Sequence, residues 1–477
     1  YRLKFLVDTG NENIRKEMEI SIKAGELVGV LYDEILKQYK NPKDKNTLRS
    51  LNMLCVRLVF CLYAEDSDLF GEHLKFHNYI QGFAVKDVRR ALIDLFKVLD
   101  TPIDKRDPYL DESLASFPYV NGGLFQNEEI EIPQFNEKIV NLLLRNASEY
   151  FDWSEISPTI FGAVFESTLN PETRRSSGMH YTSIENIHKV IDPLFLSELT
   201  TELEEIKEIQ VTKTRIKRLE EYRAKLSSLT FLDPACGSGN FLTETYISLR
   251  RLENKALSLI HNGQIVFDFD DLIKVSIRQF YGIEINDFAV TVAKTALWIA
   301  ESQMMKETEE IVNMQLDFLP LKSYANIVEG NALRIDWESV VPKDKLDYIM
   351  GNPPFVGGMM MSKEQKNEMN IVLGDINGVG ELDYVAAWYY KATNLIQDTE
   401  IAVAFVSTNS ICQGQQAVTL WQPLFEKGIK IQFAHRTFIW DSETKVKAHV
   451  HCVIVGFSLL DKAKKIIFDN DLERYAN

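Results

Sequence analysis

Hydrophobic and polar positions follow two different patterns along the chain. In the first 100 residues, apolar side chains recur at the spacing of a buried helical face, at Leu51, Leu54, Cys55, Leu58, Cys61 and Leu62. This spacing predicts a packed, all-α region. Prolines and glycines then accumulate between Pro102 and Pro133, which is typical of an irregular connection rich in turns. We expect a domain boundary near residue 150.

After residue 226, short apolar runs alternate with helical stretches. The runs are Leu229–Leu232, Phe280–Ile285, Ala325–Glu329, Leu346–Met350, Ile401–Val406 and Val450–Phe457. Strands that alternate with helices predict a doubly wound α/β sheet. Residues 201–226, which precede these runs, carry basic and acidic side chains in near balance. This balance favours a single solvated, salt-bridged helix over a DNA-binding stripe.

Composition narrows the class of protein and its partners only modestly. With 477 residues, of which 45% are hydrophobic and 26% charged, the chain resembles an ordinary soluble globular protein. Its formal net charge of −16 argues mildly against a nucleic-acid partner, although a basic cleft can lie on an acidic body. The five cysteines include no Cys-x-x-Cys pair, which favours a reducing cytoplasm. We expect no membrane span and no signal peptide.

The segment Phe231-Leu-Asp-Pro-Ala-Cys-Gly-Ser-Gly-Asn-Phe-Leu242 has the pattern of a strand, a glycine turn and the start of a helix. Glycines allow the backbone to turn sharply and to approach a ligand at the switch point of a sheet. A dinucleotide-binding turn would have a small residue where Leu242 stands. On its own, the turn is also compatible with a strand–helix connection that binds nothing.

The next two runs also end in polar residues. Glu284 follows the second run, and a carboxylate there can accept both hydroxyl protons of a ribose. Asn331 follows the third run, where an adenine amine could be bound. Three successive strand ends with suitable groups therefore favour a cofactor site over a turn without a ligand.

The fourth run leads into the tetrapeptide Asn352-Pro353-Pro354-Phe355. The two prolines fix the local backbone. An aromatic amine is a poor nucleophile because its lone pair is delocalised into the ring. If the Asn352 side-chain oxygen and the Pro353 carbonyl hold both amine protons, the lone pair becomes available to an electrophilic methyl group. Phe355 offers a face on which a flipped-out base can stack, so we expect all four residues to be catalytic.

These motifs resemble the γ-class amino methyltransferases, which carry a donor-tail motif, a glycine turn and the catalytic tetrapeptide in this order. The donor-tail motif is present here as Gly178-Met179-His180-Tyr181-Thr182-Ser183. The resemblance implies a class I methyltransferase with a doubly wound mixed sheet, S-adenosylmethionine as methyl donor, and N6 of a flipped-out adenine in DNA as acceptor.

The resemblance also assigns roles to single residues. Tyr181 and Thr182 would contact the methionine end of the donor, Glu284 its ribose and Asn331 its adenine. Many relatives have Asp at position 331, but Asn can still accept the amine proton. The remaining donor-lining residues implied by the resemblance are Asp233, Cys236, Gly237 and Asn240, together with Asp383 of the Leu382-Asp383-Tyr384 motif.

Beyond this core, residues 60–66, 118–125, 433–440 and 450–457 resemble MmeI-like enzymes, which are single-chain restriction–modification proteins. The resemblance implies a helical spacer at 1–150, a methyltransferase domain at 151–460 and the start of a target-recognition region at 461–477. It further implies double-stranded DNA as partner, with nuclease and target-recognition regions in the same full-length chain. The family closes the second face of the flipped base with an aromatic side chain, for which Phe438 and Trp440 are the candidates.

Several alternatives stay open. Methyltransferases that act on RNA bases or on protein glutamine can use the same tetrapeptide, but they are usually compact, and the long front end favours DNA. A catalytically silent scaffold would have no reason to keep the tetrapeptide, and cytosine-amine enzymes usually have Ser in place of the Asn. His449 and His451 face one side of a strand and Cys452 the other, so we expect no metal site.

Overall fold

The computed structural model describes residues 9–120, 123–126, 130–159, 161–162, 182–261, 272–314, 316, 325–374, 376–440, 450–469 and 472–476. The chain forms two compact units. The first, here the helical unit, consists of residues 1–181, 294–305 and 315–324. The second, the sheet unit, consists of residues 182–293, 306–314 and 325–477. The functional domain bounds expected from the sequence stay a prediction, because these units are defined by packing alone.

The helical unit begins with the helices expected in the first 100 residues, and two short helices follow within and after the predicted irregular connection. They are α1 (Thr9–Leu36), α2 (Lys45–Asp66), α3 (Lys75–Gln81), α4 (Val88–Leu99), α5 (Glu112–Ala115) and α6 (Glu137–Asn141), the last continuing as a π-helix over Leu142–Glu149. Asp44 caps α2 by accepting hydrogen bonds from two backbone amides of its first turn. All six residues of the predicted stripe on α2 are buried, which confirms the all-α prediction.

Helix α2 is long and apolar enough to cross a membrane by length and composition alone. However, 78% of its apolar window is buried inside the fold. A core helix of a globular unit has these same properties.

The irregular connection after α4 is organised by one side chain. Arg106 donates hydrogen bonds to the carbonyl oxygens of Val98, Thr101, Ala115 and Phe117 at 2.6–3.1 Å. These bonds satisfy backbone acceptors that regular secondary structure would otherwise pair.

The sheet unit contains one nine-stranded sheet with helices around it. The strands are β1 (Phe231–Asp233), β2 (Phe280–Glu284), β3 (Asn326–Glu329), β4 (Tyr348–Gly351), β5 (Ala402–Thr408), β6 (Lys430–Trp440), β7 (Val450–Ser458), β8 (Lys465–Asp469) and β9 (Leu472–Ala476). The helices are α7 (Ile184–Ile191), α8 (Ser197–Lys207), α9 (Thr212–Ser228), α10 (Asn240–His261), α11 (Asp287–Val312, whose residues 294–305 count with the helical unit), α12 (Lys363–Leu373), α13 (Ala386–Leu395) and α14 (Gly414–Glu426).

The strand order is β3-β2-β1-β4-β5-β7-β6-β8-β9. Strands β1 to β5 are parallel, and β7 pairs antiparallel with both β5 and β6. The order reverses between β1 and β4, so the carboxyl ends of these two strands form the crevice in which such sheets bind ligands. This topology confirms the predicted doubly wound mixed sheet.

Phe231 anchors the middle of the sheet. Its ring stacks between Phe280 of β2, at 5.2 Å between ring centroids, and Tyr348 of β4, at 5.5 Å. The same three residues are register partners, which places the ends of β1, β2 and β4 at one edge. The six strands expected from apolar runs are all present, whereas no apolar run predicted β6, β8 or β9.

The prediction of one helix over residues 201–226 was wrong. The chain forms α8 and α9, which are separated at residues 208–211. The β-branched residues Ile209 and Val211 lie at this break and favour extended backbone. The two helices fold back on each other, since the Tyr222 hydroxyl donates to the Leu199 carbonyl at 3.0 Å.

Candidate active site

The glycine turn connects β1 to α10 and depends on glycine at two positions. Gly237 and Gly239 have φ values of +52° and +82°, which residues with a side chain rarely adopt. A β-carbon on Gly239 would lie 2.8 Å from the β-carbon of Ala293 on α11. The turn is therefore held close to the neighbouring helix, and its Cys236 and Gly237 amides donate to the Ile283 carbonyl and to Glu284 on the next strand.

Asp233 ends β1 and is buried. Its Oδ1 accepts a hydrogen bond from the Ala235 amide at 2.9 Å. Within the described residues, its Oδ2 is buried and has no hydrogen-bond partner. Burial, together with the nearby charge of Glu284, raises the pKa of Asp233 to about 8. A buried acceptor of this kind favours a ligand that brings a cation or an N–H group, which would also return the carboxyl to its ionised form.

Glu284 ends β2 and joins the turn to the next strand. Its Oε2 accepts from the Gly237 amide at 3.0 Å, and its Oε1 accepts from the Asn286 amide at 2.9 Å. The two oxygens are thus fixed in place and suited to a pair of neighbouring hydroxyl groups.

Asn331 follows β3, and its loop is tied to β2 because the Gly330 amide donates to the Glu284 carbonyl at 2.8 Å. The Asn331 Oδ1 accepts from the Leu333 amide at 2.9 Å, and its Nδ2 donates to Glu368 at 2.7 Å. Lys391 donates to the Ala332 carbonyl at 2.7 Å and braces the same loop. Both ends of the Asn331 side-chain amide are therefore held by hydrogen bonds.

The tetrapeptide follows β4 at the switch point. The Asn352 Oδ1 is buried and, among the described residues, lacks a hydrogen-bond partner. Pro353 is buried, Pro354 is exposed and Phe355 is half-buried. The preceding Gly351 contacts Asp233, because a β-carbon there would overlap Asp233 Oδ1 and lie 3.0 Å from its Cγ. The two buried, unpaired acceptors thus belong to adjoining parts of one crevice.

Asp383 organises the loop that follows the tetrapeptide. Its Oδ1 accepts from the Gly358 amide at 3.3 Å and from Gln416 at 3.2 Å, and its Oδ2 accepts from Thr408 at 3.2 Å and from Ser410. Asp383 was expected near the cofactor. The contacts that the structure shows for it are with this loop, the end of β5 and α14.

Phe438 lies on β6, where the ladder with β7 shifts register between His435 and Phe438. Its half-buried ring contacts His435 edge-on at 6.3 Å, and the Lys189 ammonium group lies 5.9 Å from the ring centroid. The side chain of Trp440 lies outside the described part of the chain.

Residues of the donor-tail motif are described only in part. Thr182 is buried, and Ser183 caps α7 by accepting from the Asn186 amide at 3.3 Å. Tyr181 lies outside the described residues.

In the glycine turn, Cys236 is buried against Gly282, and Asn240 begins α10. The sequence patterns did not identify Glu368 or Gly351 as functional residues. For Gly351, its position between a strand and the tetrapeptide was a signal that the backbone there approaches another group closely.

The structure shows no candidate metal site in the part of the chain that it describes. Among these residues, no three His, Cys, Asp or Glu side chains are grouped so that they could hold a metal ion. His449 lies outside the described residues.

Comparison with known proteins places this crevice in a family. A family model described as the MmeI DNA-methyltransferase domain matches residues 207–469, more than half of the chain. The chain belongs to the MmeI DNA-methyltransferase family. A second model, the MmeI helicase spacer domain, matches residues 49–125 of the helical unit. The resemblance to MmeI-like enzymes is confirmed.

Two individual relatives match different shares of the chain. DNA methyltransferase A of Bacillus subtilis strain 168 is 38% identical over 479 residues, covering 98% of this chain and 53% of that protein. A putative type II restriction enzyme and methyltransferase of Methanocaldococcus jannaschii is 24% identical over 296 residues, covering 52% of this chain and 24% of that protein.

Among solved structures, the type IIL restriction-modification enzyme MmeI in complex with DNA matches with a TM-score of 0.86 and 43% identity. The match covers 95% of this chain and 60% of the MmeI chain. The chain thus spans a little more than half the length of the B. subtilis relative and of MmeI.

Proposed function

We propose that the chain transfers a methyl group from S-adenosylmethionine to the N6 amine of a flipped-out adenine in double-stranded DNA. The observation that carries the proposal is the buried Oδ1 of Asn352 at the switch point of the sheet, which has no hydrogen-bond partner among the described residues. A buried acceptor without a partner is costly unless a ligand supplies the donor. An exocyclic amine supplies an N–H of the required kind.

The crevice residues fit the methyl donor. The unpaired Oδ2 of Asp233 suits an N–H donor or cation such as the ammonium group of the methionine part. The two fixed oxygens of Glu284 suit the ribose hydroxyls, and the Asn331 Oδ1 suits the adenine amine. When bound, the donor supplies an electrophilic methyl group.

The chain's own residues prepare the acceptor amine. The Asn352 Oδ1 would accept one amine proton and the Pro353 carbonyl the other, which directs the nitrogen lone pair out of the plane of the ring. Phe355 would hold the base by stacking. Because this arrangement acts on the geometry of the amine, no strong general base is required.

Replacement of Glu284 with alanine is expected to weaken S-adenosylmethionine binding by about 2–3 kcal/mol, the scale of two hydrogen bonds to a charged group. Glu284→Gln retains one carbonyl oxygen and is expected to lose less. Glu329→Ala is the matched control, because Glu329 is the register partner of Glu284 on β3 and is exposed. Titration calorimetry measures all three variants. Unchanged affinity in Glu284→Ala would remove this residue from the donor site.

The loop beyond the tetrapeptide has exposed apolar side chains, which favour a macromolecule as the acceptor of the methyl group. Met359 and Met360 are 96% and 82% exposed, although they lie only a few residues after Phe355. Gly358 on the same loop is fixed to Asp383. Exposed apolar side chains of this type can enter between base steps of a duplex, whereas a small acceptor would have no use for them.

Phe438 is proposed as the second stacking partner of the flipped base. Phe438→Ala is expected to weaken binding of a duplex with 2-aminopurine at the target position by about 1–3 kcal/mol, the scale of base–aromatic stacking. The fluorescence of the flipped base should fall accordingly, with donor affinity unchanged. Phe425→Ala is the control, since that ring is 49% exposed and lies on α14. If Phe438→Ala instead loses thermal stability and donor affinity together, its ring belongs to the core.

We further propose that the full-length protein is a restriction–modification enzyme with nuclease and target-recognition regions in the same chain. Support comes from MmeI, whose structure is that of a type IIL restriction-modification enzyme with DNA. The M. jannaschii relative likewise bears the name of both a restriction enzyme and a methyltransferase.

A panel of acceptors tests the proposed substrate. Labelled donor is offered with duplex DNA, structured RNA or a glutamine-containing protein, and the methylated product is identified by chromatography. Label in N6-methyladenine of the duplex supports the proposal. Label in RNA, in protein or in the cytosine amine would assign the chain to one of the other acceptor classes, and no label in any arm would favour a silent scaffold.

A further inference from the structure

Glu368 on α12 is a buried carboxylate that none of the proposed catalytic steps uses, and only 4% of it is exposed. Its Oε1 accepts from Asn331 Nδ2 at 2.7 Å and from Arg334 Nε at 2.8 Å. Its Oε2 accepts from the Tyr384 hydroxyl. One carboxylate thus serves three donors from the loop after β3 and from the segment that precedes α13.

This contact fixes which end of the Asn331 amide faces the site. A carboxylate can only accept hydrogen bonds, so the NH2 end of the amide must point toward Glu368. The Oδ1 end receives the Leu333 amide at 2.9 Å and keeps one free acceptor position. A terminal amide can present a donor or an acceptor, but Glu368 leaves Asn331 with an acceptor alone.

We infer that Glu368 is a positioning residue that makes Asn331 select a donor whose purine carries an amino group. This inference rests on the proposed function, in which Asn331 faces the adenine of S-adenosylmethionine. A 6-amino purine presents an N–H to the acceptor oxygen, whereas a 6-oxo purine presents a second oxygen and leaves two acceptors facing each other. Sites that pair a polar group of the ligand reject analogues that cannot pair.

Two substitutions of Glu368 test the hydrogen bond to Asn331. In Glu368→Gln, the glutamine oxygen can keep both hydrogen bonds of Oε1, from Asn331 and Arg334, while the new NH2 group donates to the Tyr384 hydroxyl. This variant therefore leaves the Asn331 amide in place. In Glu368→Leu, no acceptor remains for the Asn331 NH2 group, so this contact no longer fixes the orientation of the amide.

The test compares binding of S-adenosylhomocysteine with that of its deaminated analogue, S-inosylhomocysteine, by titration calorimetry without DNA. The unsubstituted chain is expected to prefer the amino form by at least about tenfold. Glu368→Leu is expected to lose most of this preference, whereas Glu368→Gln is expected to keep it. Glu364→Leu, exposed one turn earlier on α12, is the matched control and should keep the preference.

The outcomes separate this inference from the function on which it rests. If the unsubstituted chain binds neither ligand, the proposed donor site fails. If it binds with the expected preference and Glu368→Leu keeps that preference, only the role of Glu368 is overturned. Should Glu368→Leu not fold, Glu368→Gln decides, because a folded Glu368→Gln variant without the preference contradicts the inference.

Discussion

Replacement of Asn352 with alanine is expected to slow methyl transfer by about a hundredfold or more, a loss of about 2.7 kcal/mol in the transition state. The reason is that its Oδ1 is buried, unpaired among the described residues, and proposed to hold a proton of the acceptor amine. The amine reorganises mainly in the transition state, so donor affinity should stay nearly unchanged. Single-turnover assays with labelled donor measure the rate, and calorimetry measures donor binding.

Asn370→Ala provides the control for this experiment, since Asn370 is exposed on α12 and has no proposed contact with donor or base. A rate above about one tenth of the unsubstituted value in Asn352→Ala, a loss below about 1.4 kcal/mol, would mean that another group orients the amine. Equal losses of transfer and of donor affinity would place Asn352 in the donor site instead.

Replacement of Gly351 with alanine is expected to impair donor binding and transfer together. The added β-carbon would overlap the buried Asp233 carboxylate, whose position is fixed by the Ala235 amide. The φ of Gly351 is +157°, which residues with a side chain rarely adopt. Overpacking of this kind costs about 1–3 kcal/mol of folding stability, and the displaced Asp233 should lower donor affinity at least about tenfold.

Gly380→Ala is the matched control, because a β-carbon at Gly380 would meet no other atom within 4 Å. Thermal unfolding and donor titration on both variants give the result. Gly351→Ala with unchanged donor affinity would show that Asp233 does not touch the donor. A variant that loses only transfer, as expected for Asn352→Ala, would move the role of Gly351 to the tetrapeptide.

The strands that carry the site could be predicted because their signal is local. Each of β1 to β4 is a short apolar run with a polar residue at or just after its end, and three of these polar residues, Asp233, Asn331 and Asn352, stand beside glycine or proline. Parallel strands bring such ends to one edge, so Asp233, Glu284, Asn331 and Asn352 could be grouped from their positions in the sequence. The amides of Ala235, Asn286 and Leu333, each two residues after its acceptor, follow from the same turns.

Other features arise only from packing between distant segments. Glu368 lies on a mostly polar helix, and nothing in its neighbourhood distinguishes it from the exposed Glu364. Its role appears once α12 contacts the loop after β3. Helices α8 and α9 contact each other through Tyr222 and Leu199, and the register shift between His435 and Phe438 interrupts the alternation that would have predicted β6.

Methylation of adenine N6 by the full-length protein can be tested in living cells. The full-length protein is expressed in a host that lacks adenine methylation, and genomic DNA is sequenced with detection of modified bases, beside a host that expresses Asn352→Ala. N6-methyladenine is expected at one recurrent sequence in the first host and is expected to be lost in the second. Modification of cytosine, or adenine methylation that persists in the Asn352→Ala host, would contradict the proposed function.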